Sequence, residues 1–282
     1  MAEKYIIGVD GSEESHRALA WGLERAAAHK ADVELLYVAD DSFLSETPVF
    51  VSDAQAAGEK LLKAEAEHAR TLGFEGTITG NAIVGNPVGE LEKASKRADL
   101  IILGAHHGSR LAGTFFGTRA VKIAAAAHCP VAVIPLEKPV RPTKGVVVGV
   151  DGSDASVKAV EKAAAEAATL GVPLHAIYAW MTPLTPGIEF LWSPELIQEQ
   201  EEKAQEALAI GTAGVKERFP DLEIVREVVQ APPVSALVEA GQDAAAVVVG
   251  SRGRNALSRL LLGSVSHGVL QQLPTTVIVT RA

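Results

Sequence analysis

Tyr5-Ile6-Ile7-Gly8-Val9-Asp10-Gly11-Ser12 returns later in the chain as Val146-Val147-Val148-Gly149-Val150-Asp151-Gly152-Ser153. Each copy is a short apolar run, a glycine, then Asp-Gly-Ser. Other pieces repeat around it in the same order. Leu100-Ile101-Ile102-Leu103-Gly104 returns as Ala246-Val247-Val248-Val249-Gly250, and Gly117-Thr118 as Gly263-Ser264. The period is close to half of the 282 residues, far longer than a solenoid repeat, so each copy reads as a whole domain. The expected domains are 1–138 and 145–282. Between them Glu137-Lys138-Pro139-Val140-Arg141-Pro142 is short, charged and proline-bearing, as a linker should be.

Within each copy, short apolar runs alternate with longer helical patterns. In the second, Gly145–Val150, Leu174–Trp180, Glu223–Val229, Ala245–Gly250 and Thr276–Thr280 read as strands. Val157, Val160, Ala164, Ala167 and Ala168 recur at the spacing of an amphipathic helix. Glu195–Lys216, rich in Glu, Ala, Gln and Lys, reads as one surface helix, followed later by Val234–Gln242 and Ser264–Gln272. The first copy supplies strands at Tyr5–Val9, Val33–Val38, Thr77–Val84, Leu100–Gly104 and Val131–Ile134. Strands joined by helices pair in parallel with right-handed crossovers. The first and fourth strands of each copy are apolar on both faces and belong at the centre of a helix-covered sheet. The expected fold is therefore α/β: two tandem doubly wound domains, each a five-stranded parallel sheet of order 3-2-1-4-5. Ligands in such sheets bind beyond the carboxyl ends of the strands, at the switch between strands one and four. That points to Asp10-Gly11-Ser12 with Gly104–Gly117, and to Asp151-Gly152-Ser153 with Gly250–Gly263.

Composition narrows the ligand. The chain is 48% hydrophobic and 22% charged, with net charge −9 spread evenly over both halves. A uniformly acidic surface repels phosphate polymers, so no nucleic-acid partner is expected. Cys129 is the only cysteine, which excludes an intramolecular disulfide; before Pro130 and a strand-like run it reads as a small packed hydrophobe. The chain enters a strand pattern at once and has no apolar run near the ~18 residues of a membrane span, so no membrane partner and a cytoplasmic location are expected.

The second copy reads Gly250-Ser251-Arg252-Gly253, nine residues, then Gly263-Ser264-Val265-Ser266. Glycine lets an anion approach the backbone without a Cβ in the way. Gly263-Ser264 immediately precedes a helix, whose free N–H groups and dipole favour phosphate. Ser264 and Ser266 add hydroxyls, and Arg252, Arg254 and Arg259 bring positive charge to an acidic protein. Gly-x2-Gly-x9-Gly-Ser after the fourth strand resembles the ATP-binding signature of universal stress proteins, matched without a gap by Gly250, Gly253, Gly263 and Ser264. With the strand–helix order, the resemblance covers nearly the whole chain twice, and it is similar to the tandem-domain members of actinobacteria.

The resemblance implies adenine nucleotide as partner and ATP, with or without Mg²⁺, as ligand. Asp10 and Asp151 are implied as contacts to the adenosine part; as residues opening Asp-Gly-Ser they also suit a turn or helix cap, and the two roles can coexist. Val38 and Ala179 are implied as the wall beside adenine, or else are plain core. Gly85-Asn86-Pro87 matches a turn that lines family sites, whereas the second copy has Gln230-Ala231-Pro232 there. The phosphate loop of the first copy would be carried by Gly104, Gly117 and Thr118. It reads Gly104-Ala105-His106-His107, with His107 where the second glycine belongs, so weaker or altered binding is expected in the first domain. Arg119, where the second copy has Val265, reads either as a phosphate contact or as a solvated helix residue.

Catalytic apparatus is not legible. There is no Gly-x4-Gly-Lys-Ser/Thr, no Ser-Gly-Gly-x-Asp-Ser, no nucleotidyl-transferase histidine motif and no assignable nucleophile–base pair. No His-x3-His or His-Glu-x2-His occurs, so no metal site is expected. His16, His29 and His68 fall on helices among charged residues and read as solvated; His128 lies at a turn, and His267 reads as packed or exposed. Three functions stay open: an ATP-binding stress-response regulator, a slow Mg-dependent ATP hydrolase, and a ligand-free interaction module. The fifth strand of each copy should end its sheet, and relatives pair there, which implies docking of the two domains within the chain and a homodimer. The connections Asp40–Asp53 and Met181–Pro194, with Phe43, Phe50, Phe190 and Trp192, read as nucleotide lids or as contact surfaces.

Overall fold

The computed structural model describes residues 2–43, 48–105, 118–137, 144–181, 193–253 and 262–281. The chain divides into two compact units, Met1–Glu137 and Lys138–Ala282. In the first, β1 (Lys4–Gly8), β2 (Asp32–Asp40), β3 (Ile78–Gly85), β4 (Leu100–Gly104) and β5 (Val131–Ile134) alternate with α1 (Glu13–His29), α2 (Pro48–Thr71), α3 (Pro87–Ser95) and α4 (Thr118–Ala126). The strands run parallel in the order β3-β2-β1-β4-β5. The second unit repeats this with β6 (Val146–Gly149), β7 (Leu174–Trp180), β8 (Ile224–Gln230), β9 (Ala246–Gly250) and β10 (Thr276–Thr280). Its helices are α5 (Asp154–Leu170), α6 (Pro194–Thr212), the short α7 (Val215–Arg218), α8 (Pro233–Gln242) and α9 (Ser264–Gln272), and its order is β8-β7-β6-β9-β10, again parallel. Both units are thus doubly wound α/β sheets of order 3-2-1-4-5.

Helices cover both faces: α1 and α2 pack on one side of the first sheet and α3 and α4 on the other, matched by α5 and α6 against α8 and α9. Two-sided cover explains the unbroken apolar runs. Ile6, Ile7, Ile101, Ile102, Val147 and Val248 are fully buried, each worth roughly 1.5–3 kcal/mol of transfer free energy. The outer strands β3 and β8 are mostly half-buried or exposed and carry more polar residues.

Each Asp-Gly-Ser turn is built alike. Gly11 and Gly152 take φ of 78° and 80°, open to glycine at no steric cost. The following serine caps the helix, with Ser12 Oγ accepting from Ser15 N at 3.1 Å and Ser153 Oγ from Ser156 N at 3.2 Å. The expected single helix Glu195–Lys216 is instead α6 and α7, interrupted at Ala213-Gly214. Gly211 and Gly214, poor helix formers, sit at the break. The remaining strand bounds shift by a residue or two, as hydrogen bonds at element ends dictate. Cys129 is buried. Among the described residues, no helix is long and apolar enough to cross a membrane.

Candidate ligand-binding site

At the carboxyl ends of the second sheet lies a cavity of about 360 Å³, within the size range of small-molecule sites. Its floor is the end of β6 and the turn after it: Gly149, Val150 and Asp151. One wall is apolar, made by Ile177, Tyr178 and Ala179 of β7 with Pro233 and Leu237 of α8. The opposite wall is Gly250 at the end of β9, Arg252 and Gly253 after it, and Gly263 to Ser266 at the start of α9. This is the switch point, where β6 has neighbours on both sides and the helices after β6 and β9 leave to opposite faces. The sequence-derived residues Asp151, Ala179, Gly250, Arg252, Gly253, Gly263, Ser264, Val265 and Ser266 therefore surround one space. Ile177, Tyr178, Pro233 and Leu237 also line it but carry no motif; the signal for the first two was their place beside Ala179 on one strand.

The polar wall is electrophilic. Helices α1, α3, α5 and α6 have side-chain N-caps from Ser12, Asn86, Ser153 and Ser193. Helix α9 opens on Gly263 without one, so its first-turn amides face the cavity with no side-chain acceptor. Arg252 Nε is buried with no hydrogen-bond partner among the described residues. Asp151 Oδ1 accepts from Ser153 N at 3.0 Å and from Ser153 Oγ at 2.6 Å. Its other oxygen faces Gly253, where an added Cβ would lie 2.6 Å from Oδ2. Asp151 is thus a turn former and a cavity residue at once.

The signature residues divide by task. A Cβ on Gly250 would stand 2.9 Å from the Ala155 carbonyl oxygen, so this glycine lets β9 approach α5 rather than making room for a ligand. Gly104 does the same in the first unit, against the backbone of Glu14 at 2.5 Å. Gly263 has only ordinary contacts, at 3.5 Å or more, around its Cβ position, so its surroundings leave space. The Ser266 hydroxyl reaches the carbonyls of Gly263 at 3.0 Å and Ser251 at 3.3 Å, so its donor holds the loop end to α9. Ser264 is exposed at the helix start.

The first unit differs. Asp10 Oδ1 accepts from Ser12 N at 3.0 Å, repeating the turn of Asp151. Val38 is half-buried on β2, in register with Ile83. Gly104 ends β4, and Thr118 is the first residue of α4. Gly117, His106 and His107 lie outside the described residues, as do Arg254, Arg259, Phe190 and Trp192. Arg119, left open between two roles, donates from NH2 to Asp40 Oδ2 at 2.7 Å. Asp40 is held below the usual carboxylate range, first by the Ser42 hydroxyl bond, then by the Ser42 amide and the Arg119 charge. Asn86 accepts from Val88 N and Gly89 N at 3.0 and 3.2 Å, a cap that the second unit's Pro232 does not provide.

His16 is a correction: exposed as expected, it is not merely solvated. Its Nε2 lies 2.8 Å from Oε1 of Glu65, a buried carboxylate of α2. The His68 ring lies near it, with centroids 5.3 Å apart and planes tilted by 54°, and His29 approaches Glu3 at 3.7 Å. His267 is exposed and does not line the cavity. Among the described residues no three His, Cys, Asp or Glu side chains form a group that holds a metal.

A doubly wound α/β sheet repeated twice along the chain, with a cavity at the switch position of the second unit, defines the class of protein. Comparison with known proteins identifies the family. The universal stress protein family model matches residues 1–135 and again 142–281. A universal stress protein of Mycobacterium tuberculosis is 33% identical over 301 residues, covering 98% of this chain and 94% of the relative. Another, from Mycolicibacterium smegmatis, is 32% identical over 298 residues, covering 98% and 96%. In fold, the crystal structure of a universal stress protein from Archaeoglobus fulgidus aligns with TM-score 0.72 and 21% identity, covering 99% of this chain and 98% of that one. The chain belongs to the universal stress protein family and carries two family domains in tandem, as its mycobacterial, hence actinobacterial, relatives indicate.

Proposed function

We propose that this chain is an ATP-binding regulator of the stress response, acting in the cytoplasm, with the second domain as the stronger site. The single observation that carries this reading is the divided character of the cavity beside β6. An apolar slot of Ile177, Ala179, Pro233 and Leu237 suits a flat base. Asp151 lines the same cavity and would accept hydrogen bonds from hydroxyls of a sugar. Arg252 and the uncapped first turn of α9 offer positive charge and amide donors to phosphates.

Asp151 is the single carboxylate among the described lining residues, so Mg²⁺ would be carried chiefly by phosphates and water. Among the described residues, no histidine or glutamate lines the cavity. The residues here bind and orient; regulation would follow from occupancy.

The test is to purify the chain from cells, denature it, and identify released small molecules by mass spectrometry. Intact ATP supports a regulator, ADP alone supports hydrolysis, and the absence of any nucleotide, with none taken up on incubation with MgATP, sinks the reading.

A further inference from the structure

Given the nucleotide reading above, we propose that Asp40 is an internal competitor for the first domain's phosphate position: its carboxylate occupies Arg119, and a nucleotide must displace it to bind. Arg119 lies in the first turn of α4, the helix that follows the glycine loop, at the position where Val265 lines the cavity of the second domain. Asp40 ends β2, the strand that carries Val38. The ion pair at 2.7 Å therefore ties the end of β2, the strand equivalent to the apolar wall of the second domain's cavity, to the first turn of α4.

Charge placement agrees. A cation in the first turn of a helix opposes the helix dipole, whereas an anion there is stabilised. The Asp40 carboxylate is brought to that turn, in the role that a phosphate would otherwise fill. It is also held in place from behind: Ser42 N and Ser42 Oγ donate to its other oxygen at 3.1 and 2.6 Å. Among the described residues, the second domain has no such pair at these positions. The registers of β1 with β2 and of β6 with β7 align Asp40 with Met181, so an exposed methionine and Val265 stand where the first domain has the pair.

Once displaced by a nucleotide, Asp40 would sit as a like charge beside phosphate, which weakens binding further. Loss of the competitor therefore tightens the site, while loss of Arg119 leaves an unpaired carboxylate and loosens it.

The experiment is calorimetric titration of the full chain with MgATP in a Gly263→Asp background, where a carboxylate at the start of α9 removes binding by the second domain. Asp40→Asn keeps the shape and the Ser42 contacts but drops the charge. It should tighten the first-domain site roughly fivefold, the scale of an exposed ion pair, while thermal stability falls slightly or stays level. Arg119→Val in the same background should weaken binding. A merely structural ion pair would move stability and leave affinity alone, so unchanged or weaker binding in Asp40→Asn overturns the proposal. Wild-type chain that binds no ATP at either domain defeats the nucleotide reading, and this inference with it; wild type that binds at the second domain while Asp40→Asn changes nothing defeats only the inference.

Discussion

Glu34 lies on β2 of the first unit with 5% of its surface exposed, an unusual place for a carboxylate. It is tolerated because Lys4 Nζ lies 2.7 Å from Oε2 and Arg97 grips both oxygens. Burial alone would raise its pKa; the Arg97 and Lys4 bonds and charges outweigh it and bring the value down to about 2. A depressed folded value means that the stabilisation is complete above the ordinary carboxylate value and is lost as pH falls through about 4.5 toward about 2. Its size is on the order of 3 kcal/mol at most. Urea unfolding at pH 6 and pH 3 should show a steep loss for wild type and a shallower one for Glu34→Gln. Equal slopes would show that Glu34 does not govern this window. The glycines give a second contrast. Gly250→Val should destabilise the second domain by about 1–3 kcal/mol through its clash with the Ala155 carbonyl. Gly263→Asp should leave the melting temperature near wild type and remove nucleotide retention by the second domain. From sequence these two glycines read alike, because nothing local distinguishes a backbone packed on a helix from one open to a ligand.

Among the elements, the two copies of the first helix end differently. Helix α1 ends on Lys30 in the left-handed region at φ 53°, whereas α5 ends on Gly171 at φ 65°. A side chain in that region costs roughly 1 kcal/mol, so Lys30→Gly should stabilise the first domain by up to about that amount, read as a shift in its unfolding midpoint. At the other end, Ser153 both caps α5 and holds Asp151 through its hydroxyl. Ser153→Ala should cost about 1 kcal/mol and also weaken nucleotide binding by freeing the Asp151 side chain. Ser12→Ala should match the stability loss with no effect on the second site. Helix periodicity and the Asp-Gly-Ser turns were legible from the sequence because they depend on near neighbours. The break between α6 and α7 was not, since composition favoured one helix and the glycines decided otherwise.

For the whole molecule, the expected homodimer remains a proposal, and sedimentation that gives the 29.5 kDa chain mass rather than twice that value at micromolar concentration would remove it. Repetition of a strand–turn–helix pattern along one chain was enough to specify the parallel strands of both units, their order and the strand end at which the cavity of the second unit opens. These follow from period, apolar runs and turn chemistry, all properties of short segments. The tertiary structure alone decided which side chains meet: Asp40 with Arg119, Glu34 with Lys4 and Arg97, Glu65 with His16. It also decided that Gly250 serves packing while Gly263 borders open space. Such partners are separated by tens of residues, and only the closing of helices onto a twisted sheet brings their charges and volumes within range.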